Sequence, residues 1–196
     1  MPKEWEYMDE HAKKKTRTPL DDKIDGRLMK KRILILNGEL EEERVDRICR
    51  KLILLGTEKS KAPIRIILNS VGGEVFLGLL TYNTIMDLRS KGIPIEIETR
   101  GLAASMGCII LQSGSRRIAR KYTRFLIHEI TSITFGKSSE IKEQAQEIIK
   151  LNNMLRDIIA NHTGKTPKQI RKLWFKKDVW MSAEEALKFG LLDEIV

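Results

Sequence analysis

Ser105 stands in Gly101-Leu102-Ala103-Ala104-Ser105-Met106-Gly107, where small residues lead up to a hydroxyl and a glycine follows two positions later. At a strand-to-helix corner such a serine is open to a substrate backbone. The amide of Met106, next in the chain, can then face a developing oxyanion as in a nucleophile elbow. Ala103-x-Ser105-x-Gly107 is a variant of the elbow pattern, and a serine at a helix start is more often a plain N-cap. A hydroxyl becomes nucleophilic near neutral pH only beside a base, and the chain has three histidines. His11 lies in a polar leader, and His162 precedes Thr163-Gly164 at the end of a long helical pattern, where contact with carbonyls is its ordinary role. His128 differs: it ends the apolar strand Phe125-Leu126-Ile127, at the kind of sheet edge where parallel α/β proteins place their sites. A lone strand-end histidine is still structural about as often as not, and a matching serine and acid are what raise it.

The acid that orients an imidazole has five candidates, Glu129, Asp157, Asp178, Asp193 and Glu194. Asp178 is preferred because it lies at an element boundary, between a basic helix and Val179-Trp180-Met181; alone it reads equally as a partner for the neighbouring lysines. Asp193, after Gly190-Leu191-Leu192, reads equally as a turn or subunit-contact residue. A second glycine turn, Asn69-Ser70-Val71-Gly72-Gly73, follows an apolar strand and opens a helix, so its amides favour negative charge. It is too short for a P-loop and lacks that motif's lysine and hydroxyl residue, and no GxGxxG follows any strand, which argues against nucleotide binding. An amide nest for a transient oxyanion and a plain tight turn both remain open.

The elements that must position these residues alternate strand and helix, an α/β arrangement with parallel pairings. Strands are expected at Ile33 to Leu36, Ile64 to Leu68, Ile95 to Thr99 and Arg124 to Ile127, with a final short strand from Leu191 to Val196. Helical spacing from Leu40 to Ile53 is expected to stop at Gly56. Further helices run from about Glu74 to Ser90, to about Leu111, and from about Ser139 to Asn161, the last with Ile141, Ala145, Ile148, Ile149, Asn152, Leu155 and Ile159 along one face. Thr166-Pro167-Lys168-Gln169 and Ser182-Ala183-Glu184-Glu185 announce two more helix starts by their caps. Residues 1–31 have no sustained apolar period and read as a flexible or partner-ordered leader; residues 32–196 read as one domain.

The chain has 196 residues, 41% hydrophobic and 32% charged, which suits one compact domain with a short appendage. Nothing approaches the ~18 to 20 apolar residues of a membrane span, and the start lacks a signal-peptide pattern, so a cytoplasmic location is expected. Cys49 and Cys108 have no second ligand pair, which supports neither a disulfide framework nor a metal site. The net charge of +9 is local. Arg116, Arg117, Arg120, Lys121 and Arg124 form one stretch without an acid, and Lys165 to Lys177 another. Neither interleaves aromatics as a nucleic-acid platform would, so solvated or subunit-contacting faces are favoured over nucleic acid.

Taken together, the Asn69–Gly73 turn, the Gly101–Gly107 corner, Ile127-His128, His162-Thr163-Gly164, Asp178 and Ser182-Ala183-Glu184-Glu185-Ala186 with Gly190-Leu191-x-Asp193 resemble the ClpP family, the proteolytic subunits of the ATP-dependent Clp protease. The resemblance runs from about Arg32 to the C-terminus. It implies Ser105 as nucleophile, His128 as base, Asp178 as acid, and the amides of Gly73 and Met106 as the oxyanion hole. The order Ser, His, Asp differs from that of α/β-hydrolases. It further implies a ClpP/crotonase-like fold of repeated ββα units with the long helix as a protruding handle, and stacked heptameric rings enclosing a chamber. Unfolded polypeptide would be the substrate, fed by a partner AAA+ unfoldase that uses ATP this chain does not bind; no cofactor is implied. Extended substrate would pair with a strand near Thr134-Phe135-Gly136 and with the segment around Gly72 and Gly73.

Departures from the family pattern are specific. Val71 replaces the usual proline of the glycine turn, Glu129 stands where glutamine commonly follows the histidine, and Lys176-Lys177 replace the acidic residue and arginine that link two rings. A crotonase-like acyl-CoA enzyme, which needs no serine nucleophile, and a non-catalytic ring subunit are the alternatives.

Overall fold

The computed structural model describes residues 18–196. The elements run α1 (Pro19–Lys30), β1 (Ile33–Leu40), α2 (Glu42–Thr57), β2 (Ile64–Gly73), α3 (Val75–Ser90), β3 (Ile95–Ala104), α4 (Met106–Gln112), β4 (Arg116–Ala119), β5 (Arg124–Ile127), α5 (Ser138–Thr163), α6 (Pro167–Trp174), β6 (Val179–Ser182), α7 (Ala183–Phe189) and β7 (Glu194–Ile195). Strands β1, β2, β3, β4 and β7 lie side by side in that order, all parallel, while β5 adds in parallel to the far end of β3 and β6 pairs antiparallel with β5.

The strands outrun their apolar runs because three of them are interrupted and resume. The ladder shifts between Asn37 and Glu39 in β1 and between Leu68 and Ser70 in β2. Strand β3 pairs with β4 as far as Thr99 and then, past Gly101, pairs with β5 from Leu102. Bulges bend a strand where one face must re-aim, and here one side chain crosses all three breaks. Asn69 donates from Nδ2 to Asn37 Oδ1 at 2.6 Å and accepts from the Leu102 amide at 3.0 Å. At Gly101, φ is +95° and an added Cβ would stand 2.7 Å from that same Asn69 oxygen, so a side chain is excluded twice over. Each broken strand followed by a helix is one ββα unit, the repeat expected from the family resemblance.

Helices α2, α3 and α4 form the apolar layer on the sheet. Val45, Ile48, Cys49, Leu52 and Leu55 of α2 are buried, and every residue of α4 is. Gly56 does not stop α2; it lies inside the helix, where its missing Cβ admits the Leu88 side chain, which would otherwise be 2.4 Å away.

The segment 19–30, read as leader, is helix α1. Thr18 and Asp21 form a reciprocal capping box with Pro19 in the first turn, and Lys51 of α2 pairs with Asp25 at 2.6 Å. His11 and the rest of residues 1–17 fall outside the described residues. Strand β4 lies in what reads as a purely basic stretch: Ile118 and Ala119 are buried while Arg116 meets Glu96 and Glu194. Strand β7 is shorter than expected, since the Asp193 carboxylate takes the Arg117 amide at 2.7 Å that a longer ladder would have paired. Only the C-terminal half of α5 is buried, through Leu151, Leu155, Ile159 and Ala160; Ile141 and Ile149, on the expected apolar face, are exposed. No helix among the described residues is long and apolar enough to cross a membrane.

Candidate active site

The ends of β2, β3 and β5 converge. Ser105 closes β3 and opens α4 with φ 54° and ψ −124°, a conformation that an L-residue adopts only where its surroundings over-determine it. The surroundings are on hand. The Ser105 amide donates to Leu126 O at 2.8 Å, and its carbonyl accepts from the Cys108 amide at 3.0 Å. Gly72 lies so close that an added Cβ would be 2.6 Å from Ser105 Cβ, 2.9 Å from Ala104 O and 3.1 Å from Met106 N. Although Ser105 occupies the N-cap position, its side chain makes no capping bond. The ordinary explanation for a serine at a helix start therefore does not hold here, and the hydroxyl is left for other work.

The glycine turn is braced from below. The Ser70 hydroxyl donates to Gly38 O at 2.6 Å and accepts from the Gly72 amide at 3.1 Å, tying the turn to the bulge of β1. At Gly73 a Cβ would fall 2.8 Å from both the amide nitrogen and the carbonyl oxygen of Leu40. This is a close backbone approach that proline at position 71 is not needed to enforce.

His128 follows β5 by one residue, and the β5/β6 register places Asp178. The antiparallel ladder ends with Ile127 opposite Val179, so the next positions outward, His128 and Asp178, face each other. His128 Nδ1 and Asp178 Oδ1 are 4.0 Å apart, with Asp178 well exposed and His128 mostly covered. Neither the Ser105 hydroxyl nor the imidazole makes a hydrogen bond among the described residues, and catalytic hydrogen bonds of this kind commonly tighten only around substrate.

Ser105, Met106, Gly73 and His128 line one cavity of about 260 Å³, whose apolar wall includes Ile109, Leu155, Ile159 and Trp174. Asp178 lies behind the histidine, on a second groove with Lys172, Lys177 and Trp180. Gly72 supports the serine corner from outside the cavity. Thr134, Phe135 and Gly136 do not form the expected strand: residues 131–137 have no strand partner among the described residues, Phe135 is 83% exposed, and Gly136 turns at φ +139° against Glu140.

The other acids are accounted for elsewhere. Asp193 is held by the Arg117 guanidinium, and although burial alone would raise its pKa, those hydrogen bonds bring it below the usual carboxylate value. Glu194 pairs with Arg116, Asp157 is exposed on α5, and Glu129 accepts from the Lys176 amide at 3.1 Å. His162 is removed from the cavity; burial first, then Arg117 and Arg89, push its pKa below the ordinary imidazole value. Cys108 is fully buried, and burial pushes its thiol up to about 12, which removes it as a rival nucleophile. The basic stretch from Arg116 is largely answered within the chain, since Glu98, 3% exposed, takes Nε bonds from both Arg100 and Arg120 at 2.7 Å.

One lining residue that the sequence reading does not single out is Trp174; 1% exposed, it has a usable signal in its spacing of four from the buried Ile170 on amphipathic α6. Glu129, a candidate acid in the sequence, also lines the cavity, but its carboxylate is taken by the Lys176 amide. A model of the Clp protease family matches residues 16–196, starting before Arg32 and so taking in α1 as well as the ββα units and the serine corner. The chain belongs to the Clp protease family and is a peptidase of the ClpP type.

Proposed function

We propose that the chain is a serine endopeptidase subunit in which Ser105, His128 and Asp178 act as a triad and the amides of Gly73 and Met106 form the oxyanion hole. The observation that carries this reading is the β5/β6 register, which sets His128 against Asp178 while the strained Ser105 lines the same cavity as the imidazole. Ser105 Oγ attacks the substrate carbonyl carbon as His128 Nε2 takes its proton, and Asp178 supports the imidazolium through Nδ1. The carbonyl oxygen gains the negative charge between the two amides, either of which is worth on the order of 10²- to 10³-fold in rate. His128 then protonates the leaving amine, and water, deprotonated by the same imidazole, releases the acyl group and restores Ser105. No cofactor takes part.

The apolar wall of Ile109, Leu155, Ile159 and Trp174 suits an apolar substrate side chain. Gly72, Thr134, Phe135 and Gly136 contribute backbone to an extended substrate, with the 131–137 segment pairing as a strand once a partner lies beside it. The exposed N-terminal half of α5 serves as a handle between stacked heptameric rings, and an ATP-driven AAA+ unfoldase delivers unfolded polypeptide in the cytoplasm. Lys176 and Lys177, in place of an acid and an arginine, would alter the ring-to-ring ion pairs.

The test is hydrolysis of a short fluorogenic peptide by the wild type and by Ser105→Ala, with the assembly sized in parallel. Activity in a large assembly that vanishes in the alanine variant supports the reading. Equal activity in both proteins, or tight CoA binding with no hydrolysis, overturns it.

A further inference from the structure

We infer that Glu129 is a positioning residue, holding the turn that carries Asp178 so that the acid stays opposite the His128 imidazole; the inference rests on the triad reading above. The β5/β6 ladder ends at Ile127 and Val179, one position short of the two residues that must meet. Beyond that point no ladder bond restrains either of them. The Asp178 side chain is 64% exposed, and its carboxylate accepts no hydrogen bond among the described residues. Position therefore has to come from the backbone of the turn that precedes it.

That turn, from Phe175 to Asp178, is bonded inward to α6, with the Phe175 amide on Arg171 O and the Lys177 amide on Trp174 O, both at 3.0 Å. Across to the histidine side it has one hydrogen bond among the described residues, from the Lys176 amide to Glu129 Oε2 at 3.1 Å. Lys176 takes φ +55°, the left-handed region, which a lysine adopts at a cost and which something must hold. A carboxylate accepting from a main-chain N–H makes a charge-assisted bond, stronger than a neutral one. Glu129 is bonded to the catalytic histidine through one peptide link, and Lys176 is two residues from Asp178. The contact is thus a short brace joining the base-bearing and acid-bearing segments. The turn leaves α6 at Trp174, which lines the same cavity as His128.

Glu129→Ala removes the brace and leaves both triad residues in place. A misplacement of about 1 Å costs about 10²-fold in rate, so kcat of the assembled enzyme is expected to fall by about that factor with KM little changed. Glu129→Gln keeps an acceptor oxygen at the same reach and is expected to restore kcat to within about threefold of wild type. The double variant with Asp178→Asn separates positioning from simple stabilisation. If Glu129 works through Asp178, Glu129→Ala has no further effect on kcat, or on the rate of fluorophosphonate labelling, once Asp178 is gone. Glu129→Ser, which is too short to reach the turn, replaces the alanine variant should that one melt below the assay temperature.

An equal loss in both backgrounds, failure of glutamine to rescue, or a KM effect that follows substrate charge would each overturn the inference. An unchanged Glu129→Ala enzyme alongside an inactive Ser105→Ala defeats this inference alone. An active Ser105→Ala defeats the triad reading itself.

Discussion

Gly72→Ala is the most exacting single change because the same added methyl meets Ser105, the proposed nucleophile, and the Met106 amide, the proposed oxyanion donor, together. Gly72 has φ +93°, and its Cβ would stand 2.6 Å from Ser105 Cβ and 3.1 Å from Met106 N. Ordinary contact begins near 3.4 Å, so the corner must retreat by about 0.8 Å from a close-packed seat. The backbone strain costs about 1 to 2 kcal/mol and overpacking about another 1 to 3 kcal/mol, together a fall of roughly 4 to 20 °C in Tm for a chain of this size. The shift of Ser105 against His128 is expected to lower kcat by at least about 10²-fold. Gly92→Ala is the matched control. It has φ +77° with nothing within 4 Å of the new methyl, so it carries strain without contact and is expected to lose about 1 kcal/mol with kcat intact. Peptide hydrolysis and thermal unfolding of the two variants decide the matter. Gly72→Ala with kcat within threefold of wild type would refute the idea that this glycine sets the catalytic corner.

Two further outcomes follow from charges away from the site. Hydrogen bonds from Arg100, helped by Arg120, hold the Glu98 carboxyl below its ordinary value of 4.5 despite burial, so its contribution to stability is complete above pH 4.5 and is lost as the pH falls through the lower folded value. Glu98→Gln is therefore less stable than wild type at neutral pH, and the gap in denaturant midpoint narrows below pH 4.5. Arg117, whose side chain is 12% exposed, joins Asp193, Gln112, Gly190 O and His162 O, and Arg117→Ala leaves several of these unpaired. Asp193 is 40% exposed and partly screened, which puts the loss at the low end for such a pair, about 3 kcal/mol, with kcat per folded molecule unchanged.

Much of this site is legible in the sequence because its chemistry is local to short motifs. The small residues before Ser105, the strand-end His128 and the glycine pair each announce a turn, and the capping boxes at Thr166 and Ser182 recur as written. Asp178 follows from its place before a strand, yet its meeting with His128 depends on a ladder register that no periodicity displays. The run Asn69–Gly73 reads as a turn, but tertiary pairing draws it into β2, since Asn69 finds partners on β1 and β3 from over thirty residues away. Strand β4 stays hidden because arginines that look like a surface patch find Glu96, Glu98, Asp193 and Glu194 only after folding. Helix α1 fully buries no residue, and its apolar positions Leu20, Ile24, Leu28 and Met29 span barely three turns within a charged segment, so its start is marked most clearly by Pro19 and the Thr18–Asp21 capping box. The Thr134–Gly136 strand fails for the opposite reason: Ile133 and Phe135 have β-type composition, but a strand needs a neighbour and the described residues supply none there.

The central claim is that the Ser105 hydroxyl is activated by His128, and a fluorophosphonate probe tests it most directly. Mass mapping of the labelled, assembled protein should place a single adduct on Ser105, formed at a rate that collapses in His128→Ala while the thermal midpoint holds. An adduct on any other residue, or undiminished labelling of Ser105 without the imidazole, would contradict it.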